Sequence, residues 1–171
     1  AGAATAEFAA GVGAAAVVIT EFLSVFGWLS RWPVAAAWLL VVAAMWRIGG
    51  ARLPRFRVTV AGVVIGAMAA VIAVTAALSP PNSADAMAYH MPRVVYWAQQ
   101  ASVRFFPTPY LNQISLQPFA EYLMLHTYLL SGGDHCINLL NAAAFVVAAI
   151  AAALVAKEMG GGSRAPALAA L

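Results

Sequence analysis

The chain has 171 residues, of which 64% are hydrophobic and only 9% charged, with a net charge of +3 and mean hydropathy of +0.86. Soluble domains carry about 25% charged residues, so the composition excludes an ordinary soluble globular domain. The positive charge gathers in one short arginine-rich loop, which argues for membrane orientation over nucleic-acid binding, and the single cysteine, Cys136, leaves no disulfide within the chain.

A membrane span needs about 20 predominantly apolar residues. The first such stretch is 8–28, rich in Ala and Gly, with Glu21 inside it. A carboxylate at depth costs roughly 2–3 kcal/mol on insertion scales, which places Glu21 near the outer end of its span or against other helices. No basic segment precedes this stretch, so it is a poor signal peptide. The second span is 32–49, with Pro33 in its first turn, where a missing N–H does no harm. Trp28, Trp32 and Trp46 fall near span ends, as interfacial aromatics do. Between Arg47 and Arg57 comes RIGGARLPRFR, a basic loop that the positive-inside rule puts in the cytoplasm. The third span, 58–78, then runs outward.

Residues 80–117 form the long polar stretch of the chain, interleaving Asp85, Tyr89, His90, Arg93, Gln99, Gln100, Arg104, Asn112 and Gln113 with aromatics. Beyond it, 118–130 is apolar but only 13 residues long and holds Glu121 and His126, so it reads as an interfacial helix lying flat on the outer face. SGGD at 131–134 ends it, and the last span is 136–156. Charge supports the flat helix. It leaves Arg47, Arg52, Arg55, Arg57, Lys157 and Arg164 inside, six against three outside, whereas a spanning helix makes the count four against five. The expectation is an all-α polytopic integral membrane protein with four spans. The chain begins at Ala1 without a methionine and stops within a fresh apolar run, APALAAL, which reads as the start of a fifth span in a longer protein.

Pro80 and Pro81 stop the third span, and Asn82 or Ser83 caps a new helix. Asp85, Tyr89 and Arg93 follow at i, i+4 and i+8, which sets them on one helical face, extended by Tyr96 and Gln100. Pro92 bends or splits this helix, because it has no N–H for the carbonyl of Ala88. An acid, a phenol and a guanidinium on one stripe suit a charged substrate, with Arg93 as a phosphate fork and Asp85 as general base or metal ligand. The alternative is structural: Asp85 caps the helix and pairs with Arg93 through Tyr89, and His90 is a packed or interfacial histidine. No HExxH, CxxC, Walker or GxSxG pattern occurs.

The order of D-x-x-x-Y-H-x-x-R, the strip FFPTPY, Q-P-F-x-E-Y-L, SGGD and the Asn-bearing INLLN resembles the first external loop of GT-C-fold glycosyltransferases. These use polyprenyl-phosphate sugars and include protein O-mannosyltransferases and lipid A aminoarabinose transferases. The resemblance covers about 58–171. It departs from the family at Ala86, where many members have a second acid, and at Gln117-Pro118-Phe119, where they have a Pro-Pro-Leu segment. The two N-terminal spans and the cytoplasmic loop of 1–57 are additional to the simplest family layout, and the resemblance implies that 58–171 opens the catalytic module, with 80–135 external to a bacterial inner or plasma membrane. Asp85 then takes the place of the motif's first acid, tied to acceptor activation or to a divalent metal. Arg93 helps hold carrier phosphate, and Tyr89, His90, Gln113 and Glu121 line the site. The partners implied are a polyprenyl-phosphate-linked sugar and membrane lipid. A transporter segment whose loop is a gate, or a non-catalytic scaffold subunit, are the rival readings, although transporters usually place polar groups mid-span.

Overall fold

A computed structural model describes residues 2–49, 59–162 and 164–171. Of the arginine loop expected at 47–57, residues 47–49 end α2, and the rest, with Arg52, Arg55 and Arg57, lies outside the described residues. Within them the secondary structure is helical, without strands. Four helices are long and apolar enough to cross a membrane: α1 (Gly2–Val25), α2 (Arg31–Gly49), α3 (Val60–Leu78) and, later in the chain, Leu139–Glu158. Expected and observed spans differ by a few residues at their ends, and the local chemistry explains where they stop. After Val25 the chain takes a left-handed turn at Gly27 (φ 67°), with Gly27 N–H donating to Ser24 O (3.1 Å) and Trp28 N–H to Leu23 O (2.9 Å). That paired closure satisfies the last carbonyls and favours glycine at the positive φ, so α1 ends before Trp28.

Between the third and last spans the chain builds four short helical pieces. One turn of π-helix (Ala86–His90) runs into α4 (Met91–Gln100); α5 (Asn112–Ser115) and α6 (Phe119–Ser131) follow, then the last span, α7 (Leu139–Glu158), and a five-residue α8 (Ala165–Ala169). The cap expected at Asn82 or Ser83 is Ser83, whose Oγ accepts from Ala86 N–H at 3.1 Å. α6 ends at Gly132 (φ 82°), whose N–H donates to Tyr128 O.

α6 is built into the helix packing. It packs against α1, α2 and α4, and Leu125 and Tyr122 join a core with Ile19, Leu23, Leu29, Val34, Val94, Trp97 and Phe106. Its polar residues find partners there. His126 accepts from Trp38 Nε1–H (3.0 Å) through Nδ1, which leaves Nε2–H to donate to Thr20 Oγ1 (3.0 Å), and Thr20 donates in turn to Ala16 O (2.7 Å). α6 is therefore a wedge between the ends of α1 and α2, while α7 packs against α1 and α3. α3 by contrast buries only Ala76, leaving an apolar surface of the kind lipid covers.

The His126 contacts make a prediction about pH. Burial holds this imidazole well below its ordinary 6.5, at about 4. A depressed folded value means that the unfolded chain takes up a proton below pH 6.5 while the folded one does not. Stability is thus complete above that pH and falls towards pH 4, by about 3 kcal/mol in all. Thermal unfolding in detergent should show this decline, and it should flatten in His126→Gln.

Candidate functional site

The site begins with Pro92. Its missing N–H leaves the carbonyl of Ala88 without a helical donor, and the backbone responds with an i→i+5 turn, Met91 N–H donating to Ala86 O. Gln113 supplies the missing donor from a distant segment, its Nε2 reaching Ala88 O at 2.8 Å while its Oε1 accepts from Thr108 Oγ1 at 2.7 Å. The wider turn changes which residues share a face. Asp85 and His90, five apart, now line one groove, and the stripe expected through Asp85, Tyr89, Arg93, Tyr96 and Gln100 does not form. π turns inside α-helices recur at functional sites.

Arg93 turns inward and is 1% exposed. Its Nε donates to Gln113 O (2.6 Å), Nη2 to Asn112 O (3.1 Å), and Nη1 to Leu116 O and Glu121 Oε1 (both 3.0 Å). The guanidinium also lies 5.5 Å from the centre of the Trp97 ring. These bonds lash the 112–116 segment and α6 to α4, and they leave no open fork for a phosphate. Glu121 is equally buried, and its Oε1 also receives His90 Nδ1 at 3.1 Å. Its Oε2 has no partner among the described residues. Tyr89 stands beside His90, ring centres 4.1 Å apart, and its phenol is held above its usual range, first by partial burial and then by the Asp85 and Glu121 carboxylates.

Two cavities flank this Arg93–Glu121–His90 chain. The larger, about 1030 Å³, is a groove between α3, the π turn, α6 and α7. Val71, Ile72, Leu123, Leu140 and Ala144 give it apolar walls, and its polar residues gather where α3 ends and α7 begins: Ser83, Asp85, His90, Asn138 and Asn141. Asn138 Nδ2 donates to Ser79 O at 2.8 Å, pinning those two helix ends together. The smaller cavity, about 430 Å³, is lined by Glu21, Arg93, Arg104, Gln113 and Tyr122 among others. There the Tyr122 hydroxyl donates to Glu21, and burial followed by that bond pushes the phenol's pKa up.

The residues expected to form one site are thus divided. Asp85 and His90 line the large groove, Arg93 and Gln113 the small cavity, Glu121 lies buried between them, and Tyr89 lines neither. Asn138 and Asn141 received no role from the sequence, although INLLN stood out as a motif; Glu21 read as a carboxylate near the outer end of its span or against other helices. Asp85 is the groove's lone carboxylate, and among the described residues no three His, Cys, Asp or Glu side chains form a metal-binding group. The donor set does not fit a resident divalent metal. Comparison with protein-family profiles, with curated proteins and with solved structures returns no match to the chain.

Proposed function

We propose that the chain is part of a membrane glycosyltransferase that moves a sugar from a polyprenyl-phosphate carrier to an acceptor hydroxyl on the extracytoplasmic face. The observation that carries this reading is the shape and lining of the large groove. Its apolar walls come from α6 and from two helices long and apolar enough to cross a membrane and suit a prenyl tail, and the polar end that holds Asp85, His90, Asn138 and Asn141 suits a phosphate-linked sugar. A transporter gate has less support, because α3 and α7 carry almost no polar residues along their length.

Transfer to a hydroxyl needs two things of the groove: a proton acceptor beside the attacking oxygen, and negative charge where the sugar becomes cationic. Asp85 and His90 are the groove's ionisable groups for these tasks. The external position of 80–135, opposite the arginine loop, belongs to the same reading.

Photo-crosslinking tests it. A photoactivatable polyprenyl phosphate, reacted with the full-length protein in lipid, should label the groove walls around Ile72 and Ala144. Unlabelled polyprenyl phosphate should compete, and polyprenol without phosphate should compete poorly. Labelling spread evenly over all exposed spans, or equal competition by the alcohol, would refute a carrier site here.

A further inference from the structure

We propose that His90 is the group that takes the proton from the acceptor hydroxyl, with Glu121 and Arg93 as its positioning residues and Asp85 as the charge that steadies the reacting sugar. The proposal deepens the glycosyl-transfer reading and rests on it. Four observations carry it.

The first is the tautomer. Glu121 is 1% exposed, and the same oxygen that accepts from Arg93 Nη1 lies 3.1 Å from His90 Nδ1. A carboxylate paired with a guanidinium only accepts hydrogen bonds, so the proton of the neutral imidazole sits on Nδ1, and Nε2 carries the lone pair. The second is placement: His90 lines the groove and Glu121 does not, so the imidazole stands between the buried acid and the substrate space. Nε2 has no hydrogen-bond partner among the described residues and is not a buried orphan, so it is accessible on a residue that lines that space. The third is rigidity. A base must be held closely in place by neighbours whose own rotamers are locked, and Arg93, bonded to three carbonyls and to Glu121, locks the support behind His90. The Asp85 side chain is exposed and makes no hydrogen bond among the described residues, so nothing comparable aims it. The fourth is electrostatic: His90 Nδ1 lies 3.1 Å from Glu121 Oε1, so the imidazole keeps a carboxylate beside it as it gains positive charge. This is the nucleophile–base–orienter logic of hydrolytic triads, built here around a sugar acceptor.

The step balances without a co-reactant. The hydroxyl proton passes to His90 Nε2, and the oxygen's lone pair forms the new bond to the sugar's anomeric carbon. The bond from that carbon to the carrier phosphate breaks, and its electron pair leaves on the phosphate oxygen. His90 afterwards returns its proton to water.

Two measurements on the full-length protein in lipid separate this proposal from the reading beneath it. In the first, diethyl pyrocarbonate at neutral pH should modify His90 readily, with exposed His135 as internal control and buried His126 spared. Polyprenyl phosphate should protect His90 alone, and Glu121→Gln should slow its modification. An unreactive His90 beside a reactive His135 would overturn the proposal. In the second, the probe is mannosyl-phosphoryl-polyprenol with water or a simple alcohol as acceptor. His90→Gln, which can still hydrogen-bond Glu121, should lower kcat by about 10²–10⁴-fold with little change in KM. Added imidazole should restore turnover to His90→Gly. Unaltered kcat in His90→Gln, or no rescue of His90→Gly by imidazole, would overturn the proposal. Protected and reactive His90 in a protein that consumes no sugar donor would leave the aimed imidazole in place and remove the glycosyl-transfer reading.

Discussion

Arg93→Met is expected to destabilise the fold by about 3–5 kcal/mol, the cost of leaving a buried charge without its partner. The substitution strands the Glu121 carboxylate at 1% exposure and removes donors from the carbonyls of Asn112, Gln113 and Leu116. It also unties α6 from α4, on either side of the core that holds Trp97 and Tyr122. Arg93→Lys should recover little of this, because a single ammonium cannot reach acceptors spread around a planar fork. Coupling is the sharper measure. Replacing a whole buried pair by apolar residues is often near neutral, so Arg93→Met with Glu121→Leu should melt well above Arg93→Met alone. Melting temperatures in detergent, read by tryptophan fluorescence, check this. An Arg93→Lys protein that melts like wild type but binds polyprenyl phosphate weakly would return Arg93 to the substrate.

Asp85→Asn is expected to keep the fold and lower turnover by about 10²–10³-fold, the range for losing one group that stabilises developing charge. The fold survives because Ser83, not Asp85, caps the π turn, and because the Asp85 side chain has no protein partner among the described residues to lose. The loss should appear in kcat more than in KM, since the sugar becomes cationic only on the way to the transition state. A scaffold that merely displays this surface predicts no change, because Asn preserves its shape. Unaltered turnover in Asp85→Asn would remove Asp85 from the chemistry.

Much of this architecture was legible from residue spacing, and the rest shows where that reasoning stops. Hydropathy placed the four long helices, and Pro80, Pro81 and Ser83 marked the break after α3. The length and polarity of 118–130 marked α6 as a short helix apart from the spans. Its seat between α1 and α2 was hidden, because Thr20 and Trp38, which meet His126, lie about 90–110 positions away and carry no local signal. The candidate site was half legible. His90, Arg93, Glu121 and Gln113 are linked to one another, but they face two separate cavities and Asp85 joins only His90; an i, i+4, i+8 pattern presumes unbroken α geometry. Pro92 supplied the warning: its unmatched Ala88 carbonyl demanded either a wider turn or an outside donor, and the chain uses both. Glu121 carried another signal. A carboxylate on a largely apolar helix needs a cation, and the polar stretch offered Arg93, Arg104 and His90; pairing with Arg93 and His90 turns Arg93 away from the groove. Asn138 and Asn141 escaped notice because only the packing of α7 on α3 brings them to Asp85.

The central claim is that the groove serves sugar transfer from a polyprenyl phosphate. The most direct measurement is the fate of mannosyl- and aminoarabinosyl-phosphoryl-polyprenols mixed with the purified full-length protein in lipid. The account predicts release of free polyprenyl phosphate with inversion at the sugar's anomeric carbon, strongly reduced in both Asp85→Asn and His90→Gln. Stable, folded wild-type protein that leaves both donors intact, or releases phosphate equally well in the two variants, would contradict it.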